Sequence, residues 1–140
     1  MSQSGNAGAK SLARLLYVSE LSPGTSATEV SRIVGASRRR NAGDGITGLL
    51  IFDGSRFCQY VEGSSAALTA LRDRLEQDFR HTRVEVLLEG PFAGPRRFSD
   101  WRLGYVDVVD GDEIGAMRDL SGDDAMAAFE HLLPLLDAQV

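Results

Sequence analysis

Residues 46–62 read Ile46-Thr-Gly-Leu-Leu-Ile-Phe-Asp53-Gly54-Ser-Arg56-Phe57-Cys-Gln59-Tyr-Val-Glu62. Two apolar runs flank Asp53-Gly54, a two-residue hairpin signal. The stretch predicts strands over 46–53 and 56–62. Upstream, residues 12–19 read as a strand whose period of 2 puts Ala13, Leu15, Tyr17 and Ser19 on one face. Pro23-Gly24 breaks that strand, and Ser26 with Glu29 reads as a capping box. A helix is expected from there to about Arg40, with Ala27, Val30, Ile33 and Val34 as its apolar stripe. Downstream, residues 65–79 predict a second helix with Leu68, Leu71, Leu75 and Phe79 on one stripe. Strands are then expected over 84–89 and 101–108, parted by Pro91, Gly94 and Pro95.

The order β-α-β-β-α-β-β indicates an α+β, ferredoxin-like sandwich: a five-stranded mixed sheet with both helices on one face. Two short C-terminal helices are expected over 112–120 and 123–138. The second carries Met126, Phe129, Leu133 and Leu136 on one stripe, and Pro134 should kink it. That stripe must bury against the free face of the sheet or against another subunit. Residues 1–10 read as a disordered tail, 11–108 as the domain, and 109–140 as a helical extension.

Composition narrows the function. The 140 residues are 43% hydrophobic and 25% charged, as expected of one globular domain. No apolar run approaches the length of a membrane span, and no signal-peptide pattern opens the chain. The lone Cys58 permits neither an internal disulfide nor a zinc cluster, so a cytoplasmic location is expected. A net charge of −5 argues against nucleic acid or an anionic membrane as partner. The one basic run, Arg38 to Arg40, reads as a solvated helix end.

The informative residues break the apolar pattern. Ser37 and Asn41 continue the first helix stripe as polar members, although Asn41 could simply cap the helix. Gln59 lies between Phe57 and Val61 on one strand face, where it could also bond to backbone. Tyr17 presents its phenol on a strand face. Arg74 and Asp78 are spaced for a helical ion pair. Together these suggest a polar-lined slot between two helices and a sheet, as a small-molecule site requires. No nucleophile motif accompanies His81 or His131, and no phosphate-binding glycine loop is present. Residues 19–24 lack the arginine of an acylphosphatase-type loop.

Four segments resemble the BLUF family of flavin-binding blue-light sensors. They are Leu15-Leu-Tyr17-Val-Ser19, Ser37-Arg-Arg-Arg-Asn41-Ala-Gly-Asp-Gly-Ile-Thr-Gly, Phe57-Cys-Gln59-Tyr-Val-Glu-Gly63 and Phe98-Ser-Asp-Trp101-Arg-Leu-Gly104. The resemblance implies non-covalent FAD between the two long helices. Asn41 matches the residue at the pyrimidine edge of the ring, and Ser37 lies near it. Ile33, Phe57 and Leu75 match apolar residues packed about the ring. Arg74, Asp78, Arg80 and His81 match polar positions near the ring edge and the ribityl-phosphate tail. Tyr17 and Gln59 match the photoactive pair. Light would draw an electron and a proton from Tyr17 and leave the Gln59 amide rotated or tautomerised. Trp101 matches a tryptophan near the glutamine that sits inward or outward.

Two departures stand out. Leu103 occupies a usual methionine position, and Arg40 stands where many relatives carry a smaller polar residue. The resemblance implies a non-catalytic photoreceptor that signals to a downstream protein or through a homo-oligomer. A non-photoactive protein-interaction module on the same scaffold is the alternative.

Overall fold

The computed structural model describes residues 12–78, 80–106 and 112–139. The strands are β1 (Leu12–Leu21), β2 (Thr47–Phe52), β3 (Arg56–Gly63), β4 (His81–Phe92), β5 (Trp101–Val106) and β6 (Leu136–Gln139). The helices are α1 (Ala27–Gly43), α2 (Ser65–Gln77), α3 (Glu113–Ala116) and α4 (Gly122–Leu132), with 3-10 turns at Met117–Asp119 and Leu133–Leu135. The sheet order is β4-β1-β3-β2-β5-β6. β2 and β5 run parallel and all other neighbours antiparallel. The mixed α+β sheet of the sequence reading is present, with β6 as an additional edge strand.

Local chemistry sets the boundaries. Ser26 caps α1, its Oγ accepting from the Glu29 amide at 3.1 Å. The Glu29 side chain does not close the capping box but pairs with Arg80. The hairpin turn is centred on Gly54-Ser55, one residue later than expected. Asp53 N donates to the Arg56 carbonyl at 3.1 Å, and the Asp53 carboxylate accepts from the Ser55 and Arg56 amides. The last predicted helix stops at Leu132. Pro134 removes an N–H donor and ends the α-helix in a 3-10 turn, so Leu136 enters a strand. Phe79, residues 1–11 and the predicted end of the fifth strand at 107–108 lie outside the described residues.

Strict alternation along the strands builds two cores. Leu15, Tyr17, Leu50, Phe57, Val61, Trp101 and Leu103 face α1 and α2 together with Ile33, Leu68, Leu71 and Leu75. Leu16, Val18, Leu49, Ile51, Cys58, Tyr60 and Val106 face the opposite way. They meet Ile114, Met117, Met126, Phe129 and Leu132 of the C-terminal segment. The stripe on the last helix is thus buried on the sheet of its own chain. Fully burying such side chains contributes about 1.5–3 kcal/mol each, so this docking is strongly favoured.

One buried charge pins the two halves together. Glu62 on β3 is fully buried on the C-terminal face. Its carboxylate accepts from Tyr60 Oη at 2.8 Å and from the Arg97 amide at 2.9 Å. The loop that launches β5 is therefore held by a side chain of β3. Glu62→Ala would strand these donors and is expected to destabilise the fold by about 3 kcal/mol, measured by urea unfolding.

Candidate functional site

A narrow cleft, open to solvent at its mouth, lies between α1, α2 and the sheet. Tyr17, Ile33, Ser37, Gln59, Arg74, Leu75, Asp78, Arg80 and His81 line it, nine of the twelve residues singled out from sequence. The other three stand beside it. Phe57 packs behind His81, with ring centroids 4.9 Å apart. Trp101 reaches the cavity floor through Gln59. Asn41 lies one helical turn beyond Ser37 and directly follows Arg40, both lining residues.

Strand register brings the floor together. Tyr17 on β1 is paired directly with Gln59 on β3. A register shift between Leu16 and Tyr17 marks a bulge against β4, a device that re-aims a side chain. Gln59 Nε2 donates to Tyr17 Oη at 2.5 Å, and Trp101 Nε1 donates to Gln59 Oε1 at 2.7 Å. Trp101 therefore faces inward. Its neighbour on β2 is Gly48. A Cβ on Gly48 would meet the Tyr60 carbonyl oxygen at 2.0 Å, so only glycine fits.

Gln59 is thus bonded to two side chains, and its amide is 3% exposed. Burial holds the Tyr17 phenol protonated far above its ordinary range, with the Gln59 bond opposing. Asn41 is 1% exposed, and neither its Oδ1 nor its Nδ2 has a partner. It sits inside α1, which runs on to Gly43 and is capped by Asp44, so it is not the helix cap. An orphaned buried amide costs roughly 1–3 kcal/mol, which points to a ligand.

The rim is ionic. Arg74 and Asp78 do not form the expected ion pair. Arg74 instead lies 3.8 Å from Asp44, and Asp78 bonds to Arg80. Those Arg80 bonds hold the Asp78 carboxyl below its usual range, burial opposing. Ala36, Arg40, Leu50 and Leu71 also line the cavity and were not singled out as site residues. Periodicity could have found them. Leu50 is paired with Gln59, Leu71 lies one turn before Leu75, and Ala36 lies three residues after Ile33.

The family model of sensors of blue-light using FAD matches residues 12–104. This chain belongs to the BLUF family. It is 34% identical over 96 residues to the photoactivated adenylate cyclase subunit beta of Euglena gracilis, covering 69% of this chain and 11% of that protein. It is 32% identical over 97 residues to the blue light- and temperature-regulated antirepressor BluF of Escherichia coli, covering 69% of this chain and 24% of the relative. The dark-state structure of the BLUF protein BlrB superposes with a TM-score of 0.68 at 30% identity, covering 87% of this chain and 94% of that one. The chain spans only about a tenth of the cyclase relative and matches its BLUF part.

One half-buried histidine lines the cavity. His81 Nδ1 is hydrogen-bonded to Ser19 Oγ at 3.1 Å. Burial lowers its pKa from 6.5, with the charge of Asp78 opposing. Below the ordinary value the unfolded chain takes up a proton that native His81 resists, so stability falls with pH from about 6.5 down to the lowered native value. His81→Gln is expected to flatten that slope, measured by urea unfolding at several pH values.

Proposed function

We propose that Tyr17, Gln59 and Trp101 are the photoactive set of a blue-light receptor, with FAD held in the cavity between α1 and α2. The carrying observation is the closed Tyr17–Gln59–Trp101 chain on the cavity floor. The partnerless Asn41 amide supports a hydrogen-bonding ligand edge at this site, with one acceptor and two donors to fill. Ile33, Leu75 and Phe57 supply apolar packing for a ring; Ser37, Arg74, Asp78, Arg80 and His81 supply its polar surround. Bound FAD supplies the blue-light absorption and an oxidising excited state.

The rest is the work of the side chains. Tyr17 is the oxidisable group, and burial keeps its proton in place until it is drawn off. The Gln59 amide has two faces of nearly equal shape and opposite hydrogen-bonding sense. A half-turn brings Oε1 to Tyr17, whose hydroxyl then donates. The same turn sets Nε2 against Trp101 Nε1, where two donors meet. Trp101 must lose its bond or move, and it begins β5. Output therefore passes along β5 and the C-terminal segment to an effector protein or a second copy. The cyclase and antirepressor activities in the names of the relatives illustrate the kinds of output that BLUF sensors control. This chain acts as the non-catalytic sensor, at a cytoplasmic location; no helix among the described residues is long and apolar enough to cross a membrane.

The purified protein is expected to be yellow, and blue light should shift its flavin bands reversibly to longer wavelength. Tyr17→Phe and Gln59→Leu should retain FAD and lose the shift. A protein that binds no added FAD, or a normal shift in Tyr17→Phe, would overturn this assignment. Asn41→Leu should weaken FAD binding at least about tenfold while stabilising the flavin-free protein by about 1 kcal/mol, read by titration and thermal unfolding.

A further inference from the structure

Arg38 and Ala42 stand one turn apart on α1, on the flank beside the face that carries Ser37 and Asn41. That flank borders the start of β5. Arg38, Ala42, Ile46, Asp100 and Trp101 line a second cleft there, separate from the cavity above Gln59. The Arg38 guanidinium carbon lies 5.7 Å from the centroid of the Trp101 ring. That is within cation–π reach, and tryptophan is the best of the aromatic partners. Asp100, the carboxylate of this cleft, is taken by Arg102 at 3.0 Å. The indole is thus the partner of Arg38 among the described residues. The backbone at the entry to β5 is fixed, since the Gly48 amide donates to the Asp100 carbonyl at 2.9 Å. The freedom left to Trp101 is rotation of its side chain, which is 7% exposed in this arrangement. Two holds resist that rotation: Gln59 Oε1 at the N–H edge of the ring, and Arg38 over its face.

We propose that Arg38 is a positioning residue of the switch, whose guanidinium holds Trp101 inward and draws it back after Gln59 has turned. This rests on the reading of Trp101 as a member of the photoactive set. The two holds differ in kind. The Gln59 bond exists only while the amide oxygen faces the indole, because the indole can only donate. The attraction of a cation for the ring face does not depend on the amide at all. When the amide turns, the first hold is lost and the second remains. Arg38 therefore favours the arrangement in which the indole is seated and ready to bond Gln59 again. The basic run Arg38 to Arg40 is not simply a solvated helix end: Arg40 lines the cavity, and Arg38 covers Trp101.

Trp101 is the one tryptophan of the chain, so its emission reports on this position alone. The test is acrylamide quenching of that emission in the full FAD-loaded chain in the dark, followed by the rate at which the flavin bands recover after blue light. Arg38 is exposed, so its replacement leaves the core intact. Arg38→Gln keeps length and loses charge; Arg38→Lys keeps the charge. Arg38→Gln should lower the inward-to-outward ratio of Trp101 about two- to fivefold, seen as stronger quenching and redder emission. It should slow dark recovery by about the same factor, and Arg38→Lys should restore most of both. Unchanged quenching or unchanged recovery in Arg38→Gln, or an Arg38→Lys variant no better than Arg38→Gln, would overturn the proposal and leave the flavin reading standing. A chain that takes up no FAD would remove the flavin reading, and quenching of the flavin-free chain would still decide whether Arg38 holds Trp101.

Discussion

The Gln59 amide is the constraint on which the rest of the site depends. Its nitrogen faces Tyr17 Oη and its oxygen faces Trp101 Nε1. The indole can only donate, so it dictates which end of the amide it meets. The phenol can donate or accept and tolerates either end. The chain of three is therefore polarised from the tryptophan side. One orientation satisfies both bonds, and the reverse orientation satisfies only the tyrosine. Away from water a broken bond is not replaced, which makes the two arrangements discrete. A device with two discrete states, biased by an event at the tyrosine, is what a light switch requires.

Holding those three groups in contact takes much of the sheet. Tyr17 and Gln59 meet because β1 and β3 pair in that register. Trp101 meets Gln59 across β2, where the Gly48 backbone lies too close to β3 to carry a side chain. Glu62 adds a further tie by accepting from the Arg97 and Phe98 amides just before β5. β3 thus carries the switch on one face and anchors the entry to β5 on the other. β5 itself shows Trp101 and Leu103 to the helices and Val106 to the C-terminal core. β5 therefore packs into both layers, and any displacement of it would bear on both, since packed cores shift between arrangements rather than deform smoothly.

Much of this was legible in the sequence because it follows period and punctuation. The alternation of Phe57, Gln59 and Val61 against Cys58, Tyr60 and Glu62 assigns both faces of β3. The same alternation marks Gln59 as a polar residue on an apolar face. The inward set of Trp101 was not legible, because it rests on a bond to Gln59, 42 residues away, that only the pairing of β2 with both β3 and β5 brings about. Pro134 was read as a kink in a helix, yet the chain beyond it finds β5 as a partner, and a strand edge outcompetes a weakened last turn. The Arg74 and Asp78 pairing failed for a similar reason. Helical spacing permits that pair, but Arg80 offers Asp78 a bidentate bond with better geometry.

The rim shows why net charge is a poor guide to local recognition. The chain carries −5 overall, which argues against polyanions that need a broad basic surface. A small anion needs only two or three guanidiniums at the mouth of one cleft. Low-dielectric walls concentrate their field there, and Asp44, Asp78 and Glu29 beside them offset part of it. Acidity of the whole and a basic mouth are therefore compatible. An acidic exterior disfavours nonspecific polyanions, and the arginines Arg40, Arg74 and Arg80 keep the mouth of one cleft locally basic.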